Sequence, residues 1–326
     1  MVLPMAYWQI ASGAFGRDYS SIFIKYGIAS FWQDNEKCYD DINIGDTVIL
    51  KSGVTVIKAA GKVINKGNGD KDWLDFDGWH QPYYVNVHWH VPPYNINITG
   101  LKQGTISRIL QTHIISAADT LIAKGRVSTA SKEPTVINID DETILKHLIK
   151  TALSPSAADN FTKTLARIRF LAEYYYYHGK NVLEHETRTF LVIPLLLALG
   201  WREQQLKIEY KCNNGKIDIG CFSINHNTET NDDSCIAIIE TKAFWSGLDF
   251  ADKQANEYSI NFPKCDILIA TNGFCYKIFR KTGNKFTITK PSAYLNLLKP
   301  SQNYPLDNSV GGALEAISML LPHRLS

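Results

Sequence analysis

The sequence predicts a mixed α+β protein of two domains, and three observations support this prediction. The chain has 326 residues, 45% of them hydrophobic and 20% charged, which is enough for two hydrophobic cores. Residues 6–115 consist mostly of short β-type segments, whereas helical spacing of apolar residues begins near residue 140. Between these regions, residues 125–134 (GRVSTASKEP) have the composition of a linker. We therefore expect a first domain over residues 1–120, a linker over 121–139 and a second domain over 140–326, with its core in 180–290.

The first domain is expected to be a small β-barrel with one short helix. Several short strands joined by Gly and Asp turns are typical of such barrels. A helix is predicted over residues 19–26, ending at Gly27, and Ser52 with Gly53 has the composition of a hairpin turn. Strand composition is found at residues 7–11, 47–51, 54–64 and 84–89.

The second domain begins with helices. Acidic residues at 140–142 precede apolar residues at helical spacing, and Ser154 with Pro155 is a typical helix start. The most apolar segment, residues 190–201, has 12 residues. A membrane helix needs about 20 apolar residues, so we expect a core helix there and no membrane partner.

Composition favours a cytoplasmic protein with reduced cysteines. The six cysteines form no C-x-x-C pair, and the first residues lack the basic and apolar regions of a signal peptide. The formal net charge is +2, and no basic tail is present. Any binding of nucleic acid must therefore come from local patches of charge.

Two strand-like segments carry the residues with the clearest chemistry. Residues 216–220 (KIDIG) contain Asp218, and residues 235–242 (CIAIIETK) end in Glu240, Thr241 and Lys242. Side chains alternate along a strand, so two carboxylates and a lysine can meet at the end of a buried strand pair. Burying such charges is unfavourable unless a cation or an anionic substrate compensates. Asp218, Glu240 and the Thr241 carbonyl suit Mg²⁺, and Lys242 could orient an attacking water, which predicts phosphodiester hydrolysis. A solvated surface triplet is the alternative interpretation.

Residues 184–279 resemble a PD-(D/E)xK nuclease domain, particularly the N-terminal nuclease domain of type I restriction enzyme motor subunits. The likeness lies in the order and spacing of residues 184–201, the Asp218 strand, residues 240–242 (ETK), residues 254–258 (QANEY) and residues 266–273 (DILIATNG). The resemblance implies Mg²⁺ as cofactor, with Mn²⁺ as a substitute, held by Asp218 and Glu240. It also implies that Lys242 is catalytic. The further site residues it implies are Gln254 and Tyr258, which are one helical turn apart, and Glu184 as the acid of the first helix, with Glu186 as a rival.

The first domain resembles the PUA-like superfamily, and is most similar to its EVE-type members. The matching segments are residues 7–11 (YWQIA), 27–32 (GIASFW), 45–48 (GDTV), 77–79 (DGW) and 87–89 (VHW). Members of this superfamily that accompany nucleases read modified bases, which requires aromatic walls and a few polar groups around a flipped base. By this resemblance we expect Trp32 and Trp79 to line a pocket, with Arg17 and Asp77 as polar partners. Packing in the barrel core is the alternative for each aromatic residue.

Together the two resemblances imply a type IV-like, modification-dependent restriction endonuclease that acts on double-stranded DNA with modified bases. The sequence has no G-x-x-x-x-G-K-[ST] loop, so we expect cleavage without nucleotide hydrolysis. One active site cuts one strand, and a homodimer is one way to cut both. Two alternatives stay open at this point, a non-catalytic protein that binds modified nucleic acid and a nuclease directed at RNA.

Overall fold

The chain folds as a mixed α+β protein in two compact units. The first unit comprises Met1–Asp75 and Trp79–Pro134, and the second comprises Phe76–Gly78 and Thr135–Ser326. The computed structural model describes residues 5–13, 18–31, 36–69, 71–79, 81–151, 153–179, 181–213, 215–223, 230–248, 251–283 and 285–322.

The first unit is built on a curled sheet with the strand order β2-β5-β4-β3-β1-β7. Strand β6 pairs with β4 and β8 pairs with β5, and of the described pairs only β1 with β3 is parallel. Gly27 ends the first helix with a φ of 63°, which confirms the predicted stop. The elements are β1 (Tyr7–Ala11), α1 (Ser20–Tyr26), β2 (Ile28–Phe31), α2 (Glu36–Asp41), β3 (Thr47–Ser52), β4 (Val56–Asn68), β5 (Tyr83–Val91), β6 (Ile96–Asn97), β7 (Ile106–Arg108), α3 (Thr112–Lys124) and β8 (Arg126–Val127).

Helix α3 closes one face of this sheet. Its buried residues Ile114, Ala118 and Leu121 follow helical spacing and pack against Ile49 and Ile57 of the sheet. The expected linker over residues 121–139 therefore starts within ordered structure, because α3 runs to Lys124 and β8 pairs with β5. The turn-forming residues after Lys124 mark the end of α3, and the first unit continues beyond them to Pro134.

The second unit contains a sheet with the order β14-β13-β12-β11-β10-β9, in which β15 pairs with β13. Strands β11 and β12 are parallel, and the other described pairs are antiparallel. The strands are β9 (Leu206–Cys212), β10 (Gly215–Phe222), β11 (Cys235–Thr241), β12 (Ile267–Thr271), β13 (Cys275–Thr282), β14 (Lys285–Phe286) and β15 (Ala293–Asn296). The helices are α4 (Asp141–Lys150), α5 (Pro155–His178), α6 (Glu184–Thr187), a π-helical turn (Arg188–Val192), α7 (Ile193–Ala198), α8 (Ala251–Ser259) and α9 (Ala313–Leu320), with 3₁₀ turns at Glu203–Gln205 and Asp232–Ser234.

The helix starts predicted in the second unit are confirmed. The Asp140 side chain accepts a hydrogen bond from the Thr143 N–H at 2.8 Å, and Ser154 accepts one from the Ala157 N–H at 3.2 Å. In the described part of the chain, no helix has both the length and the apolar character that crossing a membrane requires.

The core of the second unit places β11 at its centre. Every residue of β11 is buried, as expected for an apolar strand that pairs with a parallel neighbour. Helix α8 contributes Ala255 to an apolar cluster with Ile217 of β10, Ile238 of β11 and Leu268 of β12. The charged residues at the end of β11 consequently lie at the edge of a closely packed core.

The structure places Asp77 differently from the sequence-based prediction of a base-pocket residue. Asp77 belongs to the second unit and is completely buried. Its Oδ1 lies 3.1 Å from the Nζ of Lys277, and its Oδ2 accepts a hydrogen bond from the Leu248 N–H at 3.0 Å. A buried carboxylate needs such partners, and these contacts engage both of its oxygens within the second unit. The Asp77 side chain is therefore not available to a bound base, contrary to the prediction.

Candidate active site

The ends of β10 and β11 bring the two predicted metal-binding carboxylates together. The ladder between these strands ends at the pair Ile219 and Ile239, so Asp218 and Glu240 are the first residues beyond it. In β11 successive N–H groups point to opposite edges of the strand. The Lys242 N–H donates to the Thr271 carbonyl of β12 at 2.8 Å, which directs the N–H of the preceding residue towards β10.

Thr241 holds the Asp218 carboxylate in place. Its N–H donates to Oδ2 of Asp218 at 2.7 Å, and its hydroxyl donates to the same oxygen at 2.9 Å. The sequence predicts that Thr241 offers its carbonyl to a metal ion, but it does not indicate these two hydrogen bonds to Asp218. The two hydrogen bonds fix Oδ2 of Asp218, and its Oδ1 can contact other groups.

We expect Thr241→Val to weaken the site without unfolding the protein. Valine keeps the shape of threonine but removes the hydroxyl donor, so one of the two hydrogen bonds to Asp218 is lost. The free energy of unfolding should fall by about 1 kcal/mol, and the Mg²⁺ concentration needed for half-maximal stabilisation should rise several-fold. Urea unfolding at a series of Mg²⁺ concentrations measures both. Thr241→Ser keeps the hydroxyl and is the matched control, and equal Mg²⁺ dependence of the two variants would contradict this role.

Glu240, Lys242 and Gln254 form the second half of the site. The Lys242 ammonium donates to Oε1 of Glu240 at 2.7 Å and to Oε1 of Gln254, which lies on α8, at 3.3 Å. Lys242 is partly exposed, whereas Glu240 is almost completely buried. The lysine therefore lies between a buried carboxylate and solvent, where an anionic substrate can reach it.

The other oxygen of Glu240 is the most unusual atom of the site. Oε2 is buried, and within the described residues it has no hydrogen-bond partner. Burial and the neighbouring Asp218 carboxylate raise the pKa of Glu240 to about 7, and Glu184 adds to this effect. The Lys242 ammonium acts in the opposite direction but is outweighed. Such a carboxylate is poorly satisfied by the protein alone, which is common where a ligand is bound.

We expect Glu240→Gln to stabilise the metal-free protein at alkaline pH. Because the pKa of Glu240 is raised in the folded state, the folded protein holds a proton that the unfolded chain releases above its ordinary value of 4.5. The wild type should therefore lose stability as pH rises from about 4.5 to about 7, by roughly 3 kcal/mol in total. Glutamine does not ionise, so the variant should lack this loss. Urea unfolding of both proteins in EDTA at pH 5 and pH 8 measures the difference, and a gap that does not widen with pH contradicts the expectation.

Glu184 joins the site from α6, and Glu186 does not. Glu184 is half-buried, and its pKa is raised by burial and by the nearby Asp218 carboxylate, although Lys242 and Arg188 act against this shift. Glu186 instead accepts a hydrogen bond from the Leu183 N–H at 2.9 Å, which caps the start of the same helix. Of the two candidate acids, Glu184 is the one that shares the electrostatic environment of Asp218.

Arg188 is a site residue that the sequence alone does not single out. It begins the π-helical turn after α6, and such turns are frequent at functional sites. Its guanidinium lies 3.4 Å from Oδ1 of Asp218 and 3.3 Å from Oε1 of Glu209. The one sequence feature that points to Arg188 is its spacing of four residues from Glu184, which places both side chains on one face of a helix.

The donor set fits a hard divalent cation. Asp218 Oδ1 has only a long contact to Arg188, and Glu240 Oε2 has no partner among the described residues. Within the described ranges there is no group of three or more His, Cys, Asp and Glu side chains that could hold a metal ion. Mg²⁺ usually takes only one or two carboxylates and completes its shell with water and substrate phosphate, so two carboxylates suffice.

The placement of the remaining predicted site residues stays a prediction, because most of them lie outside the described residues. The backbone of Tyr258 continues α8 one turn after Gln254, and its side chain lies outside what is described. Trp32 and Arg17 lie outside the described residues, and Trp79 is half-buried in the first unit. The base pocket therefore remains a prediction that rests on resemblance.

Comparison with known proteins does not assign a family to this chain. No protein-family model matches the chain, and no curated protein shows significant similarity to it.

Proposed function

We propose that this protein is a Mg²⁺-dependent endonuclease that acts on DNA. The single observation that supports this most strongly is the meeting of Asp218, Glu240 and Lys242 at the end of two strands, with the buried Oε2 of Glu240 lacking a described partner. Two carboxylates beside a lysine suit a reaction in which a cation and an ammonium group neutralise a phosphodiester.

Each side chain has a distinct task in this proposal. Asp218 and Glu240 hold the cation, which when bound polarises the scissile phosphate and lowers the pKa of water. Lys242 places its charge beside the phosphate and orients the attacking water, and Gln254 accepts a hydrogen bond that fixes the direction of the lysine. Arg188 and Thr241 hold the two oxygens of Asp218. Glu184, whose pKa is raised, is suited to exchange a proton at the rim of the site.

We further propose that the first unit is a PUA-like reader that directs cleavage to DNA with modified bases. Its curled sheet and its half-buried Trp79 are compatible with a base-binding domain. Trp32 and Arg17 remain the other proposed pocket residues, and Asp77 is excluded because it is buried in the second unit. Because one active site cuts one strand, duplex cleavage requires two molecules on the DNA, for which a homodimer is the simplest arrangement.

Digestion of matched plasmids tests this function. The plasmids carry cytosine, 5-methylcytosine, 5-hydroxymethylcytosine or glucosylated bases, and are incubated with Mg²⁺ and without ATP. We expect cutting of at least one modified plasmid, no cutting in EDTA, and weaker cutting of the unmodified plasmid. A parallel digestion of transfer RNA separates the alternatives. Cutting of RNA alone would identify an RNA-directed nuclease, and no cutting of any substrate would favour a binding protein.

A further inference from the structure

An exposed row of aromatic residues follows one face of α5. Phe170, Tyr174 and Tyr177 are separated by four and three residues, so they share a helix face. They are 75%, 56% and 76% exposed, respectively. Isolated exposed apolar residues are ordinary, but adjacent large ones often mark a binding site for a ligand or a macromolecule.

A cationic side chain lies at one end of this row and a histidine at the other. Arg167 is exposed and precedes Phe170 by three residues, and no ion pair to it occurs among the described contacts. The exposed ring of His178 lies 5.2 Å from that of Tyr174. We refer to Arg167, Phe170, Tyr174, Tyr177 and His178 as the α5 stripe.

The end of α5 is fixed beside the candidate active site. On the other side of the same turns, the ring of Tyr175 lies 5.6 Å from that of Phe244, and the ring of Tyr176 lies 4.8 Å from that of Trp245. The indole N–H of Trp245 donates to the Gly179 carbonyl at 3.0 Å. Phe244 and Trp245 follow Lys242 by two and three residues, so the C-terminal end of α5 packs against residues that directly follow the end of β11.

We propose that the α5 stripe binds unpaired bases of the nucleic-acid strand that enters the active site. This inference deepens the nuclease function and rests on it. Every base has an aromatic face, so the rings can stack on successive bases without sequence preference, while Arg167 contacts a phosphate. A second copy of the chain is a weaker candidate occupant, because charged residues are depleted at the centre of such interfaces. The stripe instead combines aromatic rings with the guanidinium of Arg167, which complements a phosphate group.

Binding of a fluorescent single-stranded oligodeoxynucleotide to the full chain, measured by anisotropy in EDTA, tests the proposal. Tyr174→Ala and Tyr177→Ala should each weaken binding by about tenfold, a typical effect of removing one stacking ring. Arg167→Ala should reduce the slope of log affinity against log salt concentration by about one, because one phosphate contact is lost. Tyr94→Ala is the matched control, since Tyr94 is 84% exposed in the first unit and should leave binding unchanged.

The outcomes separate this proposal from the nuclease assignment. Weaker binding by the two tyrosine variants, with normal binding by the control, supports the stripe even if no substrate is cut. Equal binding by all variants overturns it, even if the wild type cuts DNA. A change from dimer to monomer in sedimentation, with binding unaltered, also overturns it and identifies the face as a contact between copies.

Discussion

Replacing Lys242 with methionine is expected to reduce Mg²⁺-dependent cleavage of DNA by about a thousandfold or more. The Lys242 ammonium is the only cation with a described hydrogen bond to Glu240, and it is the group we place beside the scissile phosphate. Losing a positioned charge or proton-transfer group in an active site typically lowers the rate by a factor of about 10² to 10⁴. Methionine keeps the length of the side chain, so the loss reports on the charge.

Two controls make this result specific. Lys146→Met removes a lysine of α4 that is exposed and paired with Glu142, and it should leave cleavage unchanged. The Lys242 variant should also retain the circular dichroism spectrum of the wild type, because the lysine is partly exposed. Cleavage by Lys242→Met at the wild-type rate would remove Lys242 from the mechanism.

The second large effect is expected at Asp77, where Asp77→Asn should lower the free energy of unfolding by about 3 kcal/mol. Asparagine can still accept the Leu248 N–H and tolerates the left-handed backbone of this position, whose φ is 55°. It removes the carboxylate charge that lies 3.1 Å from the buried Lys277 ammonium, and breaking a buried ion pair by removing one partner is strongly destabilising. The loss therefore comes from the ion pair and not from the shape of the side chain.

A double variant tests this explanation. Asp77→Asn combined with Lys277→Met removes both charges, and it should recover most of the stability measured by urea unfolding. Glu142→Gln breaks an exposed ion pair on α4 and should change stability by less than about 1 kcal/mol. A double variant as unstable as the single one would show that the charge of Lys277 is not the cause.

The part of the candidate site that the sequence could predict is local to two strands. The alternation of side chains along residues 216–220 and 235–242 is sufficient to place Asp218, Glu240 and Lys242 at one strand end. The apolar run of residues 235–239 must be buried, and this restricts the register of the two strands. Gln254 was reached through a family resemblance, and the structure places it 3.3 Å from Lys242.

The other features depend on contacts between distant segments. Asp77 lies 200 residues from Lys277, and nothing in the composition around residue 77 distinguishes a turn residue from a buried ion-pair partner. Arg188 contacts Glu209 across 21 residues and begins a π-helical turn, and neither feature has a clear sequence signal. Helix spacing alone could not show that Phe170, Tyr174 and Tyr177 are exposed, because the same spacing is typical of a buried face.

In the proposed mechanism Asp218 and Glu240 together hold a divalent cation. Calorimetric titration of the full chain with Mn²⁺ tests it most directly, because it requires neither a known substrate nor cleavage. We predict one Mn²⁺ site per chain in the wild type and binding at least about tenfold weaker in Asp218→Asn and in Glu240→Gln. Mn²⁺ binding of equal strength in Asp218→Asn, or no binding by the wild type, would contradict the claim.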